Sequence, residues 1–193
     1  MTPSQDAGPV RQEVDDTIAN PIELPKKTAS QLTDALNTDV ASLFVLFHQY
    51  QKHHWVAEGP QFRDLHLLLE EHYTAVQQQA DAFAERIVTL GGVPVSAASA
   101  QLKRAYVKEE PEGILDLREM LSNDLQTNQQ ILVKLREHIK LARELQDWGT
   151  EQLVKRHLRA QELRTQDIMH LLEHETLDEE LGVDSKRTKG SKS

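Results

Sequence analysis

Residues 54–85 read HWVAEGPQFRDLHLLLEEHYTAVQQQADAFAE, which sets His54, His66, Glu70, Asp81 and Glu85 around one chain break. Gly59-Pro60 stops one helix and opens another, since glycine ends helices and proline suits the first helical position. His54 lies just before the break and His66 about as far after it. An antiparallel helical hairpin therefore brings the two imidazoles side by side. Imidazole and carboxylate together suit iron, manganese or zinc. Asp81 and Glu85 are four residues apart, on one face of the second helix. Fifteen residues separate His66 from Asp81, roughly 22 Å of continuous helix, which no single metal centre spans. Either the two halves are unrelated, or a two-fold mate reverses the helix and carries its acids to the first chain's histidines. The second arrangement gives two symmetric sites at each dimer interface.

Outward from this stretch the pattern is helical. Thr28 and Ser30 are expected N-caps of a first helix, whose apolar face is Leu32, Leu36, Val40, Leu43, Phe47 and Tyr50. His54 continues that stripe, whereas His53 is rotated by about 100° and is expected to be solvated or at an interface. A second helix from Pro60 to about Leu90, ended by Gly91-Gly92, carries Phe62, Leu65, Leu69, Val76, Ala80, Phe83, Ile87 and Leu90 as its core face. One residue on runs a mixed seam: His66, Glu70, Tyr73 or Thr74, Gln77, Asp81 and Glu85. It reads either as a second contact surface, crossing a mate near Thr74 and Ala75, or as an ordinary solvated face. Residues 91 to 111 form a long gap that accommodates a short helix over residues 96–105. A third helix is expected over roughly Glu112–Leu145, with Ile114, Leu117, Leu121, Asn128, Leu132, Leu135, Ile139 and Ala142 in phase. After a break at Asp147-Trp148-Gly149, a fourth covers roughly Thr150–Leu177. Its stripe is Val154, Leu158, Gln161, Ile168 and Leu172. The fold class is all-α, a four-helix bundle.

The chain has 193 residues, enough for one domain with a sizeable core. Three segments are expected: an irregular, flexible arm over residues 1–29, interrupted by four prolines; the bundle over 30–178; and a basic, flexible tail over 179–193. No apolar run is long enough to cross a bilayer, no secretory leader is visible at Met1, and cysteine is absent. These features fit a cytoplasmic protein without disulfides. A net charge of −9 argues against a body that binds nucleic acid over its whole surface and suits the attraction of cations.

Lys52-His53-His54-Trp55, Gly59 with Phe62, Leu65-His66, Asp81, Ala84-Glu85-Arg86 and Leu90-Gly91-Gly92-Val93-Pro94 resemble the Dps proteins, the mini-ferritins also called DNA-binding proteins from starved cells. The resemblance covers roughly residues 30–178. It implies a ferritin-like bundle with its long crossover between the second and third helices. It further implies a hollow homododecamer and a ferroxidase centre at the two-fold interface. The centre takes His54 and His66 from one chain and Asp81 and Glu85 from its mate. Glu70 stands where the family commonly has an aspartate. Trp55 matches a tryptophan beside the centre that can quench radicals. Asp147 and Glu151 fall where the family has acidic three-fold pores; the other reading is that they favour the start of the last helix through its dipole. True ferritins instead use Glu-x-x-His motifs inside the bundle, and none occurs here. His170 and His174, one turn apart, are expected on the surface.

The expected activity is oxidation of Fe²⁺, by hydrogen peroxide on the family analogy, with storage of Fe³⁺ and protection of DNA. The competing expectation is a DNA-compacting, nucleoid-associated protein whose metal site is incidental or holds zinc. Its support is Lys26, Lys27 and the tail residues Lys186, Arg187, Lys189 and Lys192, which suit phosphate backbones. A weaker third expectation is a helical bundle that only binds partners, without oligomer or metal.

Overall fold

The computed structural model describes residues 9–173, which form helices and, among those residues, no strand. Helices α1 (Lys26–Val56), α2 (Phe62–Thr89), α4 (Leu117–Glu144) and α5 (Trp148–Leu172) make a four-helix bundle. A short helix α3 (Ala98–Arg104) lies in the connection between α2 and α4 and packs on α1. His54 meets His66, Gln49 meets Asp124, and Asp39 meets His138. These pairs make α1 antiparallel to both α2 and α4. Hence α2 and α4 run the same way. To begin α4 the chain must travel back along α2, whose 28 residues rise about 42 Å. A tight turn cannot do that, and the long crossover is the consequence.

The core is the one the stripes describe. Leu32, Leu36, Val40, Leu43 and Tyr50 meet Leu65, Leu69, Val76, Phe83 and Ile87, with Leu121, Leu135, Val154 and Ile168 closing the far side. Two expected stripe members are exposed: Phe62 at 43% and Ile114 at 71%. Phe62 is the first residue of α2, beyond the end of the packed face. Ile114 precedes α4, which starts at Leu117 rather than Glu112. The reason is Gly113, whose φ of +106° lies outside the right-handed helical region. At the other end of the bundle α1 begins at Lys26, two and four residues ahead of the expected caps Thr28 and Ser30, with Pro25 at the N-cap and no side-chain capping bond. Proline fits there because the first helical N–H groups have no intrahelical acceptor anyway.

The described part of the N-terminal segment is irregular, as its prolines require, and it is tied to the bundle. Ile18 N–H and the Gln12 amide both donate to the Gly91 carbonyl, at 2.9 and 2.8 Å, and Arg104 pairs with Asp15. Gly91 has φ +83°, and a Cβ there would stand 2.5 Å from the Ile18 carbonyl oxygen. The Gly91→Ala variant is therefore expected to release residues 9–25 while the bundle stays folded. Limited proteolysis should then cleave at Arg11 or Lys26 several-fold faster than in the wild type; unchanged cleavage would contradict this docking.

His157 on α5 packs edge-on against Phe83 at 5.2 Å. Burial, then Arg164 and Arg156, lower its pKa from 6.5 to about 4. The unfolded chain thus takes up this proton first, so stability falls as pH drops from 6.5 to about 4 and levels off below. In His157→Phe that part of the acid sensitivity should vanish. Melting temperatures of the two proteins across this window check it: parallel curves would refute the assignment.

Candidate metal centre

His54 sits in the last turn of α1, where carbonyls have no helical N–H to accept from. His66 Nδ1 donates to the His54 carbonyl at 2.9 Å, and His54 Nδ1 donates to the His66 carbonyl at 2.8 Å. Because a carbonyl only accepts, each Nδ1 carries the proton and each Nε2 keeps its lone pair. The rings are stacked, with centroids 3.6 Å apart and planes inclined by 21°. This reciprocal pairing locks both imidazoles in the tautomer and orientation of a metal ligand, the usual task of outer hydrogen bonds at such sites. Neither Nε2 is used in that pairing.

Aromatic residues set the walls. Tyr73 meets His54 edge-on at 5.3 Å, and Phe62 lies against His66 at 4.9 Å. Phe62, a core position by its spacing, lies against His66 instead. Trp55, beside His54, is 67% exposed. His53 overturns its expectation, being 1% exposed. Its Nδ1 is 2.9 Å from Asp124 and its Nε2 is 2.7 Å from Glu110, which also pairs with Lys52 at 2.6 Å. Burial lowers the His53 pKa, yet the two carboxylates outweigh it and the net shift is upward. The 100° rotation from the stripe did not carry His53 to solvent, since it turned toward α4 and the crossover. The run of polar residues Asn123, Asp124, Thr127 and Asn128 on α4 is the signal in the sequence for a polar partner there.

The acids lie elsewhere. Glu70, one turn after His66, and Asp81 and Glu85, further along α2, are exposed. Helix α2 runs unbroken through them, so Asp81 stays about 22 Å from His66 along the axis. Among the described residues no three histidines or acids of one chain gather closely enough to hold an ion. The seam thus displays a histidine half and a carboxylate half that cannot meet within one chain.

Asp147 caps α5 by accepting from Thr150 N–H, and Arg86 donates to both its oxygens, at 2.7 and 2.9 Å. Glu151 is 2.9 Å from Arg143 and 2.5 Å from Lys155. Both acids are held below the usual carboxylate range, although burial opposes this for Asp147. Lys26 is exposed, 3.5 Å from Asp16, and His170 is exposed too. Lys186, Arg187, Lys189, Lys192 and His174 lie outside the described residues.

The bundle interior does not suit a divalent cation. Tyr50, Asn128, Gln161, Gln79 and the guanidinium of Arg164 form one buried hydrogen-bonded series, and the buried carboxylate of Asp124 is already taken up by Gln49 and His53. A buried positive charge among amide groups repels Fe²⁺.

The chain matches the ferritin-like domain family over residues 33–177. It is 42% identical over 149 residues to the "DNA protection during starvation protein" of Halobacterium salinarum, spanning 77% of this chain and 82% of that protein. The crystal structure of an archaeal Dps homologue from Halobacterium salinarum superposes with a TM-score of 0.82 at 35% identity. That match covers 93% of this chain and 98% of the other. The Dps protein of Vibrio cholerae, described as a member of a broad superfamily of ferritin-like diiron-carboxylate proteins, gives 0.76 at 31%, covering 82% and 99%.

Proposed function

We propose that this chain, which belongs to the Dps family of ferritin-like proteins, stores iron and shields DNA by oxidising Fe²⁺ at sites shared between two subunits. The observation that carries the reading is the half-site itself. Two imidazoles are locked with both Nε2 atoms presented, and the matching acids lie beyond reach on the same rigid helix. A two-fold mate crossing near Thr74 and Ala75 reverses α2 and delivers Asp81 and Glu85 to His54 and His66. Twelve such chains then close into a hollow shell.

Fe²⁺ is the substrate. His54 and His66 bind it from one side, Asp81 and Glu85 from the other, with Glu70 one turn from His66 as a further carboxylate. The imidazoles donate lone pairs to the metal, and the carboxylates supply the negative charge that offsets Fe³⁺ as it forms. Two Fe²⁺ each give one electron to one hydrogen peroxide. Its O–O bond breaks, and with two protons it leaves as two waters, so no hydroxyl radical is released. Trp55 is an exposed oxidisable ring beside the site, placed to take up a stray oxidising equivalent. Asp147 and Glu151 contribute negative charge near an entry route, and Arg86, Arg143 and Lys155 moderate it.

Anaerobic mixing of Fe²⁺ with half an equivalent of peroxide tests the chemistry. The expected result is rapid oxidation at that stoichiometry, in a particle of dodecamer size by light scattering. Oxidation no faster than in buffer would refute the ferroxidase reading, and a monomer would refute the shared site. DNA contact through Lys186, Arg187, Lys189 and Lys192 belongs to the same proposal, in a cytoplasmic, nucleoid-associated setting. A gel shift lost on deleting residues 185–193, and weakened by salt, is its expected signature.

A further inference from the structure

Two buried side-chain donors without an acceptor among the described residues gather at one charge. Arg164 on α5 is 7% exposed. Its Nη2 donates to the Gln79 amide oxygen at 2.6 Å and to that of Gln161. Gln161 donates onward to Asn128, and Asn128 to the Tyr50 hydroxyl at 2.6 Å. Every acceptor in this chain is a neutral oxygen. Arg164 Nε and Gln79 Nε2 have no acceptor among the described residues, although Gln79 is 1% exposed. One hydrogen bond joins the two side chains, so these two donors are at most about 7 Å apart by bond lengths alone.

The charge is unbalanced as well. The nearest candidate acid on the same helix, Asp167, is half exposed and stands 3.5 Å from His72 Nε2. The phenol beside the guanidinium, Tyr50, is buried and held neutral. Burial first, and then the field of Arg164, lower the pKa values of His72 and His157 to about 4. A buried charge without a counter-ion is strongly disfavoured, and each buried donor left unpaired adds to that cost. A neutral water would answer the donors and leave the charge. An anion answers both.

We infer that Arg164 Nε and Gln79 Nε2 together bind one small monovalent anion of the halide class inside each subunit, as a structural counter-ion remote from the His54–His66 pair. Gln79 is the telling position. A glutamate there would offer a carboxylate to the Nε/Nη2 edge of the guanidinium and remove both orphan donors at once. The amide leaves that place to an external ion.

The full-length assembly grown in sodium bromide, with diffraction data collected at the bromine edge, tests this directly. The expected result is an anomalous peak within hydrogen-bonding range of both nitrogens in wild type, absent in an intact Gln79→Glu assembly. A companion measurement compares melting in bromide and in gluconate at equal ionic strength. Wild type should melt higher in bromide, by an amount growing with the logarithm of its concentration, and Gln79→Glu should not respond. No peak in wild type, an ordered water in its place, or a peak that survives Gln79→Glu would each overturn the inference. Iron oxidation is not a readout, so its loss or retention leaves this test untouched.

Discussion

Replacing His54 and His66 together by alanine is expected to slow peroxide-dependent Fe²⁺ oxidation by on the order of 100-fold or more, with the shell intact. Outer-shell losses at metal sites already cost 10–100-fold, and this variant removes two direct donors. Both rings are partly covered, yet their hydrogen bonds go to carbonyls of the same hairpin, so the bundle loses little else. The sharper form of the experiment uses two inactive proteins. Chains carrying His54→Ala/His66→Ala are unfolded together with chains carrying Asp81→Ala/Glu85→Ala and reassembled. If each site takes histidines from one subunit and acids from the other, every mixed dimer contains one complete site. Activity should then return to about a quarter of wild type for random pairing. If each chain builds its own site, the mixture stays as dead as its components.

Arg86→Met is expected to cost about 3 kcal/mol of subunit stability. Arg86 ties α2 to the start of α5, through Asp147 and through Thr150 Oγ1 at 2.9 Å. Asp147 is 5% exposed and Arg86 largely covered. Removing one partner of a buried pair leaves an uncompensated charge and typically costs 3–5 kcal/mol. The low end applies because Thr150 still donates to Asp147. Chemical denaturation of Arg86→Met, Asp147→Asn and the double variant gives the coupling. The double variant should recover part of the loss; strictly additive losses would mean the two side chains do not act as a pair. Gly149 belongs to the same contact, since a Cβ there would approach Arg86 Nη2 to 3.0 Å.

Much of this molecule is legible along the chain because helices report their own period. The stripe from Leu32 to Tyr50 and the one from Leu65 to Leu90 are buried as their spacing demands. Gly59-Pro60 separates α1 from α2, and His54 and His66 meet across it because equal offsets from a hairpin turn oppose each other. Helix ends are less legible than helix faces. Thr28, Ser30 and Glu112 are good starters by type, but Pro25 and Gly113 placed the true starts of α1 and α4 through backbone geometry. A cap is a local preference of about 1 kcal/mol, easily overruled by where the packed face begins.

Local residue patterns suffice for the all-helical class, the four long helices, the histidine pair, and the impossibility of joining His66 to Asp81 within one chain, since helix rise is a constant of the backbone. The folded structure alone sets which nitrogen of His54 and His66 is bonded across the hairpin, because that depends on carbonyls of the opposite helix. It also clamps His53 between Asp124 and Glu110, and buries the Arg164 guanidinium against Gln79 and Gln161. Those facts rest on side chains far apart in sequence, whose meeting no local period encodes.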